Sequence, residues 1–301
     1  PDGTVFTYSY YFTIIISDPT SDDSPAQISN AQEFLNAVNG ETEEDYILTN
    51  DIYLYEYTTQ TDTSKIRSLD GNGYQIVIVG FDYDNNSQDV RLSLFNTISS
   101  NTTLKNIRLN LFHSGVIQIL SAFTNNVMVA PFAITNNGII TNCEVVSYRK
   151  LTNEITPSVN GLNIQVDSTI GVSAITAGFV VYNNGIITNS RVGGESVVEY
   201  SFVPQISDDG ILINTGAVNS NTRIMSPFVI SSFGEIAGFV YQNSNSGHIV
   251  SSYASNIRLI NNSNIDYATI TAGFVIQNAG LVSMSYAKGV KQDESDIHAS
   301  M

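Results

Sequence analysis

The spacing of hydrophobic and polar residues changes along the chain and marks its elements. Residues 1–27 hold an alternating aromatic strand and a Pro/Asp/Ser linker, and "ISNAQEFLNAVNG" then has helical spacing. Ser29 and Gln32 are placed as a capping box for the first free N–H groups, and Gly40 is the stop signal. We therefore predict one helix at residues 30–39, whose apolar stripe is Ala31, Phe34, Leu35 and Val38.

Short strands fill the rest of the chain. "DYILTNDIYLY" alternates, and "SLDGNGYQIVIVG" places a tight turn before a β-branched strand. The predicted divisions are an N-terminal strand and linker (1–27), a capping helix with the first strands (28–90), solenoid repeats (91–290) and a polar tail (291–301). Two spacers, 147–171 and 194–224, are expected to be inserted loops.

A short motif of small residues, Phe, Val, an Asn-Gly turn and an apolar tail recurs in the second half. Its clear copies have phenylalanines at intervals of 47, 60 and 35 residues, and a looser copy precedes them. A fixed motif with variable spacers indicates a repeat array. The predicted repeat residues are Phe95, Phe132, Phe179, Phe239 and Phe274 with the turn glycines Gly138, Gly185, Gly247 and Gly280.

Stacked coils explain why such a motif is repeated. In a parallel solenoid, equivalent residues lie about 4.8 Å apart on successive coils, so inward Phe, Val and Ile form columns. Asn at a corner accepts left-handed backbone and can hydrogen-bond the next Asn in a ladder. A β-sandwich with Asn-Gly hairpins is the alternative, but it does not account for several copies in register.

The last two copies resemble the GLUG-motif family, repeats of bacterial adhesin-like and peptidase-associated surface proteins. Ala237-Gly238-Phe239-Val240 is followed by Asn243, Gly247, Ile249, Ser252, Tyr253 and Ala254, as in that motif. Ala272-Gly273-Phe274-Val275 is followed by Asn278, Gly280, Val282, Ser285, Tyr286, Ala287 and Gly289. Here Phe replaces the family's Leu. The resemblance covers about residues 28–290 and implies a right-handed parallel β-helix with an N-terminal cap and no catalytic residues.

Composition narrows the functional classes. The net charge of −16 comes from 12 basic and 28 acidic residues, and the Lys and Arg residues form no stripe. Nucleic acid is therefore not an expected partner, because phosphate binding needs clustered cations. No apolar run reaches the length of a membrane span. Cys143, the sole cysteine, occupies the repeat position of Ser190, Ser252 and Ser285, which favours a buried small side chain over a nucleophile.

Two acidic segments are candidate sites. Asp82, Asp84 and Asn86 have the alternate-residue spacing of Ca²⁺ ligands, although Ser87 and Ser93 replace the glycine and glutamate of an EF-hand. Asp208-Asp209-Gly210 could supply an acid and a base, but neighbouring strand residues point to opposite faces. We interpret the first segment as a solvated loop, the second as a turn between strands, and the Asp70-Gly71-Asn72-Gly73 stretch as a turn set by backbone geometry.

The remaining ionisable residues form no recognisable motif. Arg191, Arg223 and Arg258 are far apart in sequence, His113, His248 and His298 lack metal-ligand spacing, and His248 is expected at the surface. Sequons at Asn85, Asn101 and Asn261 matter only in a host that glycosylates secreted proteins. We therefore predict no metal, no cofactor and no enzymatic activity.

The functional hypothesis is a secreted or cell-surface β-solenoid with a structural or adhesive role, part of a larger surface protein, fibre, sheath or appendage. The spacers are expected to emerge as hairpins or extra coils and to contact a protein or glycan surface. The charged tail offers no second cap, so the solenoid is expected to continue in another chain or in further sequence. The alternative is a carbohydrate-active or carbohydrate-binding β-helix: a lyase, a hydrolase or a tailspike-like receptor binder.

Overall fold

The computed structural model describes eleven segments of the chain, and these wind into a parallel β-helix. They are residues 24–81, 90–111, 117–119, 127–147, 162–166, 174–194, 202–206, 212–217, 228–232, 234–261 and 270–294. Strands from successive coils lie side by side in each stacked sheet, and they pair in parallel. The predicted all-β solenoid is thereby confirmed. The right-handed winding of the solenoid, which the resemblance implies, stays a prediction.

Each coil crosses four faces, which we number I to IV in the order the chain meets them. Face I contains β7 (Val90–Leu92), β12 (Val127–Val129), β17 (Ala174–Ala177), β24 (Gly234–Ala237) and β28 (Thr271–Ala272). Face II contains β4 (Gln60–Asp62), β8 (Phe95–Ile98), β13 (Ala133–Asn136), β18 (Val180–Asn183), β25 (Val240–Asn243) and β29 (Val275–Asn278).

The other two faces begin earlier in the chain. Face III contains β1 (Ala26–Ile28), β2 (Glu44–Leu48), β5 (Ile66–Asp70), β9 (Thr103–Lys105), β14 (Ile139–Thr141), β19 (Ile186–Thr188), β26 (His248–Val250) and β30 (Leu281–Ser283). Face IV contains β3 (Ile52–Leu54), β6 (Gln75–Ile78), β10 (Arg108–Leu111), β15 (Glu144–Ser147), β20 (Arg191–Gly194), β27 (Tyr253–Asn261) and β31 (Tyr286–Glu294). Stacking thus starts at Ala26, so the predicted boundary at residues 90/91 does not separate two architectures.

Face IV is widened by a second stack of strands. β11 (Ile117–Ile119), β16 (Leu162–Val166) and β23 (Phe228–Ser232) pair in sequence, and β23 pairs with the second half of β27. Ile164 and Val166 of β16 are fully buried. The spacer 147–171, predicted as an inserted loop, therefore supplies a strand of the solenoid. β31 continues to Glu294, so the start of the predicted polar tail is also a strand.

The second spacer behaves differently. Its strands β21 (Phe202–Ile206) and β22 (Leu212–Ala217) form an antiparallel hairpin. The hairpin is a separate two-stranded sheet that pairs with none of the stacked strands in the described residues. This part of the chain therefore confirms the hairpin that was predicted for a spacer.

One helix, α1 (Ala31–Val38), is inserted between β1 and β2 at the N-terminal end. Its N-cap is Asn30, whose side chain accepts from the Glu33 N–H at 3.0 Å, while the Glu33 carboxylate accepts from the Ser29 N–H at 2.7 Å. The predicted Ser29/Gln32 box is therefore wrong by one residue, because the amide of Asn30 reaches the third helical N–H. The C-cap is Asn39, so Gly40 lies one residue beyond it. Phe34 is fully buried and its ring lies 6.1 Å from that of Phe95.

The solenoid core contains a column of stacked phenylalanines. The ring centroids of Phe132 and Phe179 are 4.8 Å apart, and those of Phe179, Phe239 and Phe274 follow at 4.9 Å each. Phe95 is not the first member, since it pairs with Ala133, which places Leu94 opposite Phe132. The predicted position in the column is therefore wrong by one residue. Leu94 and Phe95 are both apolar and buried, so hydrophobicity alone does not distinguish them.

Asparagine and glycine columns hold the corner between faces II and III. The Asn136, Asn183 and Asn243 side chains each donate to the Asn of the next coil at 2.8 Å, ending on Asn278. The turn glycines beside this ladder lie against the backbone of the preceding coil. A Cβ on Gly185, for example, would lie 2.1 Å from the carbonyl oxygen of Gly138. Close coil packing therefore requires glycine at this corner.

We expect Gly185→Ala to destabilise the protein, because the added methyl group overlaps backbone that cannot move without separating two coils. Overpacking of this kind costs about 1–3 kcal/mol or more. Gly80→Ala is the matched control, since a Cβ there meets nothing within 4 Å. Urea unfolding followed by circular dichroism measures both, and equal effects of the two substitutions would contradict the packing argument.

Candidate functional site

The corner between faces III and IV is built from residues in left-handed conformation. Asn72, Asn106, Asn142 and Asn189 have φ of 50°, 55°, 52° and 48° on successive coils, and Ser251 and Met284 continue the series at 50° and 49°. Asn tolerates this conformation because its short side chain bonds to nearby polar groups. The corner consequently presents a row of amide side chains at the outer surface.

Hydrogen bonds link these amides to an aspartate. The Asn142 side chain donates to Asn106 Oδ1 at 2.7 Å, and that of Asn106 donates to Asp70 Oδ1 at 2.9 Å. Asp70 also accepts from the Asn72 N–H at 2.8 Å and pairs with Lys105 at 3.3 Å. Burial would raise the pKa of the Asp70 carboxyl, but these hydrogen bonds and the lysine outweigh it and hold the pKa below its ordinary value. The Asp70-Gly71-Asn72-Gly73 turn, predicted to be set by backbone geometry alone, thus also joins the site through the Asp70 side chain.

An ion-pair network starts face IV beside this row. Glu144 Oε1 lies 3.1 Å from Arg108 Nη1, and Glu144 Oε2 accepts from Arg191 Nε at 2.7 Å. The side chains are 23–31% exposed, so the network is half-buried and its geometry is fixed by hydrogen bonds. One carboxylate therefore holds two guanidinium groups from the coils on either side of it.

A groove of about 640 Å³ on the outside of the solenoid is lined by Asp70, Arg108, Glu144, Arg191 and the four asparagines of the corner. Tyr74 lies at its N-terminal end and is 36% exposed. Tyr253 lies at the other end, with its ring stacked on that of Tyr286 at a centroid distance of 5.1 Å. The groove therefore has polar walls and a tyrosine at each end.

Cys143 lies beneath this groove. Its thiol is buried and directed at the Thr141 carbonyl oxygen at 3.3 Å, and its N–H donates to Ser190 Oγ at 3.2 Å. The next coils repeat this pattern, with Ser190 N–H donating to Ser252 Oγ and Ser252 N–H to Ser285 Oγ. The predicted equivalence of these positions is confirmed. Burial raises the pKa of the Cys143 thiol to about 12, so the group is poorly suited to nucleophilic chemistry.

The structure brings together few of the residues that the sequence singled out. Asp82, Asp84, Asn86 and the Asp208/Asp209 pair lie outside the described residues, as do Arg223, His113 and His298, so the predictions about them stay predictions. His248 is exposed at the start of β26, as predicted. Arg191 lies in the groove, whereas Arg258 lies in the second half of β27.

The groove itself was not predicted. Arg108, Glu144, Arg191, Tyr253 and Tyr286 occupy one register position on successive coils, immediately after the Cys143/Ser190 column. Aligning the repeats on that column and looking one residue further would have revealed the series. The residues of this series differ in type, some charged and some aromatic, so a search for identical residues in the repeats does not detect the series.

Comparison of this chain with models of protein families, with curated proteins and with solved structures found no match. Within the residues that the structure describes, three or more His, Cys, Asp or Glu side chains nowhere gather in a way that could hold a metal ion. In the same residues, no helix combines the length and apolar character needed to cross a membrane.

We expect Cys143 to stay unreactive towards Ellman's reagent at pH 8 in the native protein and to react in urea. The reason is that burial keeps the group a neutral, shielded thiol at that pH. Cys143→Ser should change the free energy of unfolding by about 1 kcal/mol or less, because serine makes the same column bonds in three other coils. Rapid labelling of the native protein would count against this account.

We expect acid to weaken the fold in part through Asp70. Its folded pKa lies below the ordinary value of about 3.9, so its contribution to stability is complete above that pH. The contribution is lost as the pH falls through the lower folded value. Urea unfolding between pH 2 and 7 should therefore show a shallower acid dependence for Asp70→Asn than for the native chain, and identical slopes would contradict the assignment.

Proposed function

We propose that this protein is a non-enzymatic, secreted or cell-surface β-solenoid with a structural or adhesive role. One observation carries the proposal: equivalent side chains of successive coils form columns that run through the described repeats. Phenylalanine rings, asparagine amides and serine hydroxyls each continue to the last described coil. A rod of this kind resists extension and proteolysis because each coil is held by its neighbours.

The spacer hairpin supports the adhesive part of the proposal. β21 and β22 pair only with each other in the described residues, so the solenoid's stacking does not depend on them. A hairpin outside the stacked sheets can vary in sequence without disturbing the core, as binding loops on rigid scaffolds do. We propose that it contacts a protein or glycan surface.

A secreted or surface location agrees with the composition. The chain combines a net charge of −16 with 16 tyrosines, and 12 Lys and Arg residues. Such a surface stays soluble and repels polyanions. Assembly into a larger fibre, sheath or appendage is part of the same proposal.

Carbohydrate recognition is the second candidate function, and the groove is the observation in its favour. Tyrosines at its ends and hydrogen-bonding groups along its walls are the features expected for sugar rings. For catalysis the groove offers less, because both of its carboxylates, Asp70 and Glu144, are engaged by cations.

Removing the hairpin tests the main proposal. We expect replacement of residues 195–224 by a short Gly-Ser linker to leave the thermal unfolding of the solenoid intact and to abolish binding to an array of matrix glycoproteins. The matched control removes 148–171, which includes the buried Ile164 and Val166, and should destabilise the fold. A hairpin deletion that unfolds the chain, or that leaves array binding unchanged, would refute the proposal.

A further inference from the structure

The groove crosses five coils of the solenoid. Its lining residues include Tyr74, Arg108, Glu144, Arg191 and Tyr253, one from each successive coil. Adjacent strands are spaced by about 4.8 Å, so the four intervals give a length of about 19 Å. A groove that is long, open and regularly spaced suits an extended polymer better than a compact metabolite.

The walls of the groove are pre-organised. Glu144 holds Arg108 and Arg191 in place, and Asp70 holds Asn106, which in turn holds Asn142. These side chains are already ordered, so a ligand that bonds to them loses less conformational entropy on binding. Planar amides, guanidinium groups and carboxylates together offer both donors and acceptors, as vicinal hydroxyl groups require.

The charge of the groove favours a neutral ligand. Its charged lining residues are Asp70, Glu144, Arg108 and Arg191, and Lys105 pairs with Asp70 beside it. The whole chain carries −16, so a polyanion is repelled at long range. Polyphosphates and nucleic acids also need clustered, available cations, whereas each cation here is paired with Asp70 or Glu144.

A tyrosine lies at each end of the groove. Tyr253 and Tyr286 form a stacked aromatic surface at one end, and Tyr74 is partly exposed at the other. The C–H faces of pyranose rings pack on such aromatic faces, while their hydroxyl groups remain at the ring edge. This arrangement matches a sugar chain that lies along the groove with its hydroxyls towards the Asn, Arg and Glu side chains.

We propose that the groove binds a segment of a neutral polysaccharide along the solenoid axis. The proposal rests on the second candidate function, sugar recognition, and names its site and ligand class. Arg108, Glu144 and Arg191 bond to hydroxyl groups at the centre of the bound segment. Tyr74 and Tyr253 pack against sugar rings at its two ends.

Affinity electrophoresis of the full chain tests this proposal. The probes are four neutral polysaccharides (mannan, dextran, laminarin and arabinoxylan) and one acidic polymer, polygalacturonate, cast in native gels. We expect at least one neutral polysaccharide to retard the protein and polygalacturonate to leave it unretarded. Arg191→Ala, Tyr253→Ala and Tyr74→Ala should each raise the dissociation constant about tenfold, equivalent to about 1.4 kcal/mol.

Matched substitutions elsewhere on the surface are the controls. Arg67→Ala removes an arginine that pairs with Asp45 on face III, and Tyr55→Ala removes a tyrosine that is 70% exposed outside the groove. Neither should change the retardation. Circular dichroism checks the fold, and Tyr74→Ala decides the outcome if Arg191→Ala fails to fold, because Tyr74 is at the groove rim.

Three results would overturn the proposal: no retardation by any neutral probe, retardation by polygalacturonate alone, or equal weakening by the groove and control variants. The hairpin deletion separates this test from that of the main proposed function. Retardation that survives the deletion supports the groove, whatever happens to array binding. Retardation that disappears with the hairpin would move the sugar site away from the groove and refute the inference.

Discussion

The hydrogen-bonded approach of one coil to the next is the constraint on which the other features of this structure depend. Parallel strands about 4.8 Å apart place each side chain directly against its equivalent. Each column must therefore consist of side chains that can contact copies of themselves. Aromatic rings do so with centroids 4.8–4.9 Å apart, and amides do so through hydrogen bonds of 2.8 Å. Where two backbones meet at a corner, only glycine leaves room, as at Gly185 and Gly280.

The same constraint determines how the core is covered in the first and last described coils. At the N-terminal end, α1 places Phe34 over the core, and its cap bonds involve Ser29, Asn30 and Glu33. In the last described coil, Phe274 and Val275 are only partly buried, and Leu281 is 48% exposed. Within the described residues these side chains have a stacked coil on one side only, which accounts for their partial burial.

The sequence predicts what repeats and misses what varies. The Phe, Asn and Gly columns were predictable because identical residues recur at equivalent positions. Phe95 was placed one residue late, since Leu94 and Phe95 are both apolar and only the strand register separates them. The N-cap is predicted one residue early, at Ser29 instead of Asn30, because both residue types are good N-caps. Glu144 and Arg191 are 47 residues apart in sequence, so no short sequence pattern indicates that they form an ion pair.

This division between repeated and varied residues bears on where function can evolve in the molecule. An inward residue is restricted by the coils above and below it, so a change there must be accommodated by its neighbours. An outward residue such as Arg108 or Tyr253 shares the same regular spacing, but its side chain lines the outer groove and is not enclosed in the core. The scaffold thus fixes the positions of outward groups without fixing their chemistry. A row of unlike polar and aromatic residues at that spacing is the feature on which the proposed polysaccharide site rests.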